Sequence, residues 1–551
     1  MIPINQDVKQ ASQYQQQNPN YEIEQLEIQN FENQQHQQTQ SQAKESSEVV
    51  EKLNQIEFNN LENMINKGQH LQQMGQYQKA IEFYDKALVI RPQFANCLNI
   101  KGVCLEKLGQ YEQAIEWYDK ALAINPQFVG CLHNRGVCLY YKGQYEQAIE
   151  WFEKALAINP QFVNSLNNKG VCLEKLGQYE EAIEWSDKAL AINPQCVNSL
   201  SNKGACLQKL GNYKQAIKLY DEALVINPQS VNYLNNKGVC LEKLGQYELA
   251  IEWSDKALAI NPQSVNSLNN KGVCLEKLGQ YEQAIEWYDK ALAIDPQFVG
   301  CLHNRGVCLF YMGQYEQAIE WFKKALAVNP KYLNSQIRKG QCLEKMGQYQ
   351  QAIQCYDKAL FINPQSVNSL NSKCVCLEKL GQYQKAIKFY DKILTINPQS
   401  FNSLNSKGVC LEKMGQYQQA IQSYDKALII NSQFEGCLHN KGVCLEKMCE
   451  YQQAIQQYDK ALGINPQFLI SIEGKGVCLF KMGEYEQAIK WFDKALDINP
   501  QAVSSVKGIG FCLEKMGQYQ QAIKYFHIAL AITPQYEQQY KDIIQQLFQQ
   551  L

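Results

Sequence analysis

Glycine recurs at a fixed step of 34 residues. Gly136, Gly170, Gly204, Gly238, Gly272 and Gly306 form one series, and Gly143, Gly177, Gly211, Gly245, Gly279 and Gly313 form another. Pro126, Pro160, Pro194, Pro228, Pro262 and Pro296 keep the same step. A period of this size means stacked supersecondary units rather than independent domains. Residues 61–536 divide into 14 such frames without insertion or deletion, and 13 of the 15 prolines hold one frame position. Length alone would suggest roughly three or four domains; the period makes the chain one solenoid.

Residues 163–196 show the inside of a frame. Val163, Leu166, Gly170, Leu173 and Leu176 follow the spacing of an amphipathic helix. Gly177 ends it, because glycine accepts the left-handed geometry of a helix C-terminus. Tyr179, Ala182, Ile183, Leu190 and Ile192 give the stripe of a second helix, which breaks at Asn193-Pro194. Two such helices cannot bury their apolar faces alone, so the frames must stack and need distinct ends. Tyr540, Ile543, Ile544, Leu547, Phe548 and Leu551 trace the stripe of a capping helix over 537–551. Val49, Val50, Leu53 and Ile56 suggest a short helix over 46–60. Residues 1–45, with 14 glutamines and no glycine, are expected to be a disordered tail.

The frame resembles the tetratricopeptide repeat (TPR) over 476 of 551 residues. The family's small residue appears as Gly170, its turn glycine and tyrosine as Gly177 and Tyr179, its alanines as Ala182 and Ala189, and its proline as Pro194. The tyrosine and the first alanine are present in all 14 repeats. Where the family usually has Trp and Leu in the first helix, this chain mostly has Leu (Leu166, Leu200) and Lys (Lys169, Lys203). The resemblance implies an all-α, right-handed superhelix, an α-solenoid of helix-turn-helix repeats.

No signature of chemistry stands out. A net charge of −2 leaves no basic field for a nucleic-acid backbone. No apolar run is long enough for a membrane span, and Met1–Gln10 lacks the pattern of a secretory signal, so a cytoplasmic protein is expected. There is no phosphate loop, HExxH, GxSxG or CxxC. No enzyme activity, cofactor, metal or small-molecule substrate is expected. Thirteen of the 21 cysteines (Cys104, Cys138 and onward to Cys512) share one position, too far apart for disulfides along the stack. They read as small semi-buried hydrophobes or, alternatively, as redox sensors. Trp117, Trp151, Trp185, Trp253, Trp287, Trp321 and Trp491 also share a position, suited to packing between second helices or to an outer binding stripe. Ser186 and Ser254 replace the next residue's aromatic, so cavities are expected there. Cys374, Ile393, Ser432 and Cys449 break the frame in the tenth to twelfth repeats, where larger residues should force helices apart.

TPR superhelices bind ligands on the concave face lined by the first helices. Asn134, Asn168, Asn202, Asn236, Asn270 and Asn304 form an unbroken run there. A side-chain amide both donates and accepts, so the run suits an extended partner chain; equally, it is what a solvated face of an Asn-rich chain gives. It is similar to the asparagine ladder of O-GlcNAc transferases, although the 15 residues after the last repeat are too few for their catalytic domain. The third and eighth repeats replace Glu-Lys by Tyr140-Tyr141 and Phe310-Tyr311, and carry His133 and His303 beside Arg135 and Arg305. These are candidate interface anchors, and block duplication of the array also accounts for their similarity. A clamp for a chaperone's terminal carboxylate is not expected, since Val171, Val239 and Val273 occupy its Asn position and Arg338 stands without the other members. The expected function is a non-enzymatic scaffold for proteins or extended peptide segments. The alternative is a regulatory or targeting subunit of an enzyme whose catalytic part is on another chain.

Overall fold

The computed structural model describes residues 21–550, and every regular element among them is a helix. The chain divides into two compact units, residues 1–260 and 261–551. In the first, Ala95–Lys107 and Tyr111–Ile124 set a pattern of 13 and 14 residues that is kept to Val231–Lys243 and Tyr247–Ile260. In the second, the same two lengths run from Val265–Lys277 and Tyr281–Ile294 to Val503–Lys515 and Tyr519–Ile532.

Two turns enforce that regularity. Within a repeat, Gly109 takes φ +75°, its N–H donates to the Glu106 carbonyl at 2.9 Å, and the Gln110 N–H donates to the Leu105 carbonyl at 2.9 Å. This pair of bonds closes a helix through a left-handed residue. Between repeats, the Asn125 side chain accepts from the Gln127 N–H at 3.2 Å, so asparagine sets the turn that proline stiffens. That explains why Ser432 is tolerated: Asn431 still accepts from Gln433 at 3.1 Å. Cys449 keeps the first turn with φ +62°, in a region costly for a residue with a Cβ.

In most repeats an aromatic of the second helix lies against a glycine of the first; Ser186, Ser254 and Cys374 mark the exceptions. A Cβ on Gly102 would stand 2.5 Å from the Tyr118 ring, and Tyr118, Ala114 and Ala121 are fully buried. Cys374 occupies this glycine position and Ile393 an alanine position, both fully buried. The expected disturbance leaves the helix boundaries unchanged, with Val367–Lys379 and Tyr383–Ile396 again 13 and 14 residues long.

The ends differ from each other. The C-terminal helix Glu537–Phe548 buries Tyr540, Ile544 and Leu547 on the last repeat. At the N-terminus the expected disordered tail and short helix are replaced, from Tyr21 on, by one helix to Gln73 that also serves as the first helix of repeat one. No glycine or proline interrupts residues 21–67, and glutamine, glutamate and lysine lose little rotamer freedom in a helix. Val49, Val50, Leu53 and Ile56 are exposed on it. Residues 1–20 of the expected tail lie outside the described residues. No described helix is long and apolar enough to cross a membrane.

Candidate protein-binding face

Positions are counted 1–34 from residue 61, so the first helices carry glycine at position 8, except at Cys374, and the second helices an aromatic at position 24, except at Ser186 and Ser254. Successive first helices are joined through position 5. In residues 1–260, His133 Nδ1 lies 2.9 Å from Ser165 Oγ, and Ser199 Oγ donates to Asn167 Oδ1 at 3.3 Å. In residues 261–551, His303 meets Ser335 at 2.9 Å, His439 meets Ser471 at 3.0 Å, and Ser505 Oγ donates to Glu473 at 2.8 Å. The His133 ring packs against Phe152 and Phe162, with centroids 5.4 and 5.2 Å away. Burial pushes His133, His303 and His439 down to about 4. His133 and His303, expected as anchors, therefore lie beneath the surface and join repeats.

The asparagine run at position 6 is not uniform. Asn134 Nδ2 donates to Asn99 Oδ1 at 3.2 Å, and Asn304 Nδ2 to Asn269 Oδ1 at 3.1 Å. Asn168 accepts from Asn167 at 3.4 Å, and Asn236 and Asn270 are half-buried. Asn202 is buried and donates to Ser186 Oγ at 3.1 Å, entering the space where other repeats hold an aromatic ring.

The aromatic replacements follow a rule invisible in any single repeat. A buried tyrosine at position 24 needs an acceptor, and glutamate at position 12 supplies it: Tyr118 donates to Glu106 at 3.1 Å and Tyr288 to Glu276 at 3.2 Å. Phe152, Phe322 and Phe492 have no hydroxyl, and position 12 then holds Tyr140, Phe310 and Phe480. Phe526 keeps Glu514, whose side chain is 30% exposed against 10% for Glu106. Tyr140 and Phe310 are half-buried, each 5.6 Å from the ring of its own Tyr145 or Tyr315. Tyr141 and Tyr311 face solvent, 59% and 51% exposed. They stack on Tyr111 and Tyr281 of the preceding repeat at 5.2 and 5.6 Å, with planes within 7° and 12° of parallel. The Arg338 guanidinium lies 5.4 and 5.6 Å from the Phe310 and Tyr311 rings.

The tryptophans belong to the opposite face and are engaged internally. Lys169 binds Glu153 of the preceding second helix at 2.5 Å and lies 3.7 Å from the Trp185 ring, while Lys188 lies 3.8 Å from that ring. Arg305, Asp289, Trp321 and Lys324 repeat the arrangement. This explains the lysine at position 7, and the signal for it was present: an acid 16 residues before every such lysine except Lys339, which has Lys323 there. The position-10 thiols are buried, which pushes Cys172 and Cys240, for example, up to about 12. Cys449 is exposed. Among the described residues no group of three or more His, Cys, Asp or Glu is placed to hold a metal ion.

Family models agree with the repeat architecture. Models described as tetratricopeptide repeat match residues 57–127, 93–161, 195–263, 229–297, 474–501 and 509–540. A model described as anaphase-promoting complex, cyclosome, subunit 3 matches 141–223, 279–359, 312–393 and 379–461. Similar solved structures include a tetratricopeptide repeat protein from Parabacteroides merdae, 20% identical, covering 45% of this chain and 97% of its own, with TM-score 0.40. The APC/C hetero-tetramer Cut9-Hcn1 is 16% identical, covering 82% of this chain and 96% of its own, with TM-score 0.39. YrrB, described as a TPR protein with an unusual peptide-binding site, is 24% identical, covering 33% of this chain and 95% of its own, with TM-score 0.28. No curated protein matches the chain.

Proposed function

The chain carries tetratricopeptide repeats, and on that premise we propose that it is a non-enzymatic scaffold capturing extended segments of partner proteins in a groove lined by its first helices. One observation carries the reading: Tyr141 and Tyr311 present half their surface to solvent while each is held in place by a stacked tyrosine. An aromatic ring that is exposed yet already ordered loses little entropy when a partner covers it. Tyr140 and Phe310 brace these anchors from below. His133 and His303 set the spacing of the helices that bear them. Asn134, Asn168, Asn236, Asn270 and Asn304, which keep part of their surface, contribute amides along the groove, and Asn202 supports the repeat from within. The 21 free thiols fit a reducing compartment such as the cytoplasm.

The test is affinity purification from the protein's own cells, comparing the unaltered chain with Tyr141→Lys, Tyr311→Lys. The new residue is the one neighbouring repeats carry at that position, so the fold is kept. Loss of a defined set of partners is the expected result; an unchanged set removes the anchors. A second reading, a regulatory or targeting subunit whose catalytic partner is another chain, draws support from the matching family model of a complex subunit. Co-purification of an enzymatic activity would favour it.

A further inference from the structure

The first-helix face carries a charge that the sequence conceals. Positions 12 and 13 usually read Glu-Lys, a neutral pair. In the ninth to twelfth repeats, residues 333–468, the fold separates the two. Glu344, Glu378, Glu412 and Glu446 turn inward to accept from the hydroxyls of Tyr356, Tyr390, Tyr424 and Tyr458 at 3.0, 2.6, 3.2 and 3.1 Å. Burial raises the Glu446 carboxyl above its usual range. The lysine after each, from Lys345 to Lys447, stands exposed, and Lys481 and Lys515 extend the column. Lys515 reaches back only loosely to its own Glu514, at 4.0 Å.

Arg338 stands at the head of this column. It is half-buried against Phe310 and Tyr311, and its polar contacts are the neutral Gln341 at 3.1 Å and the Tyr311 hydroxyl at 3.4 Å. Among the described residues no carboxylate lies within ion-pair distance of it, whereas Arg305 is held by Asp289 at 2.6 Å. A half-buried guanidinium without a carboxylate is a site of unmet charge.

Spacing then limits what can answer that charge. Adjacent first helices are in hydrogen-bond contact, as at His303–Ser335 and His439–Ser471, so their axes lie about 8–10 Å apart. An extended chain advances about 3.3 Å per residue. It therefore passes from one repeat's lysine to the next in about three residues. Resting on the reading that this face captures extended chains, we infer that the captured segment is acidic, with a carboxylate at about every third residue, lying along the column from Arg338 towards Lys515. Each exposed ion pair contributes little alone, so recognition comes from keeping register over several repeats. A polypeptide is favoured over a nucleic acid because a net charge of −2 leaves the chain no broad basic field for a large polyanion.

Fluorescence anisotropy with the full chain tests this, using labelled (Asp-Ala-Ser)6, its neutral counterpart (Asn-Ala-Ser)6, a peptide of the same composition with its six Asp in one block, and an 18-nucleotide oligothymidylate. The spaced acidic peptide should bind at least tenfold tighter than the other three and weaken as salt rises. Lys345→Gln, Lys379→Gln, Lys413→Gln, Lys447→Gln combined should weaken it tenfold or more. Lys358→Gln, Lys392→Gln, Lys426→Gln, Lys460→Gln, all exposed on second helices, should leave it within twofold. Equal binding of the neutral peptide would overturn the acidic partner while leaving extended-chain capture standing. Equal binding of the blocked peptide would overturn the spacing. Tighter binding of the oligonucleotide would overturn the choice of a polypeptide. Absence of binding by every peptide would remove capture by this face altogether.

Discussion

The two faces of a repeat use the same residue types to opposite ends. On the second-helix face a cation is enclosed: Lys169 is clasped by Glu153 and covered by Trp185, and its side chain is 8% exposed. On the first-helix face of the same repeat Lys175 is 43% exposed, with its neighbour Glu174 as its ion-pair contact. A cation holds this array together where an acid and an indole flank it. Elsewhere it is left for whatever arrives from outside. Fold and binding are thus separable by face, and substitutions can be chosen to disturb one without the other.

The largest effect should come from the layer beneath the first-helix face. His133, His303 and His439 are lowered from 6.5 to about 4, so the folded state binds fewer protons than the unfolded one. Their cost is absent above the unfolded value near 6.5 and grows as pH falls towards 4, reaching about 3 kcal/mol per histidine. Denaturant titrations at pH 7.5 and 4.5 should show this loss. His133→Asn, the residue of neighbouring repeats, should remove one histidine's share. On the opposite face, Trp185→Ala should cost about 2–3 kcal/mol through lost burial and two cation–π contacts, with affinity for a first-helix partner unchanged. A matching loss of affinity would break the separation of faces.

Between the faces lies the tyrosine–glutamate pair. Tyr118→Phe should cost about 1–2 kcal/mol by leaving the half-buried Glu106 without its donor. Adding Glu106→Tyr, which copies Phe152 with Tyr140, should recover most of it; a double variant no better than the single would refute the rule. The smallest effect belongs to the turn that joins the faces. Cys449→Gly should stabilise by about 1 kcal/mol, because the left-handed φ of +62° then carries no Cβ penalty.

The helices and both turns were legible because they depend on residues at a fixed spacing. Gly177 and Pro194 read as helix ends, and the structure puts them there. The first-helix face was legible only in part. His133 and Tyr140 read as anchors because the sequence does not reveal which side of a first helix faces the next repeat. Burial of His133 and the pairing of position 12 with position 24 are properties of two helices together. The N-terminal helix was expected only over 46–60 for a different reason: composition argued that residues 1–45 had nothing to bury, while the absence of any breaker after Tyr21 let the helix extend outward.

The central claim is that partners meet the first-helix face. It is tested most directly by placing the photo-crosslinker p-benzoylphenylalanine at Tyr311, or at Phe361 of a second helix, which is 90% exposed, and irradiating the protein's own cells. The expected result is a discrete crosslinked partner from position 311 and none in common from position 361. Crosslinks to the same partner from 361 but not from 311 would contradict the account.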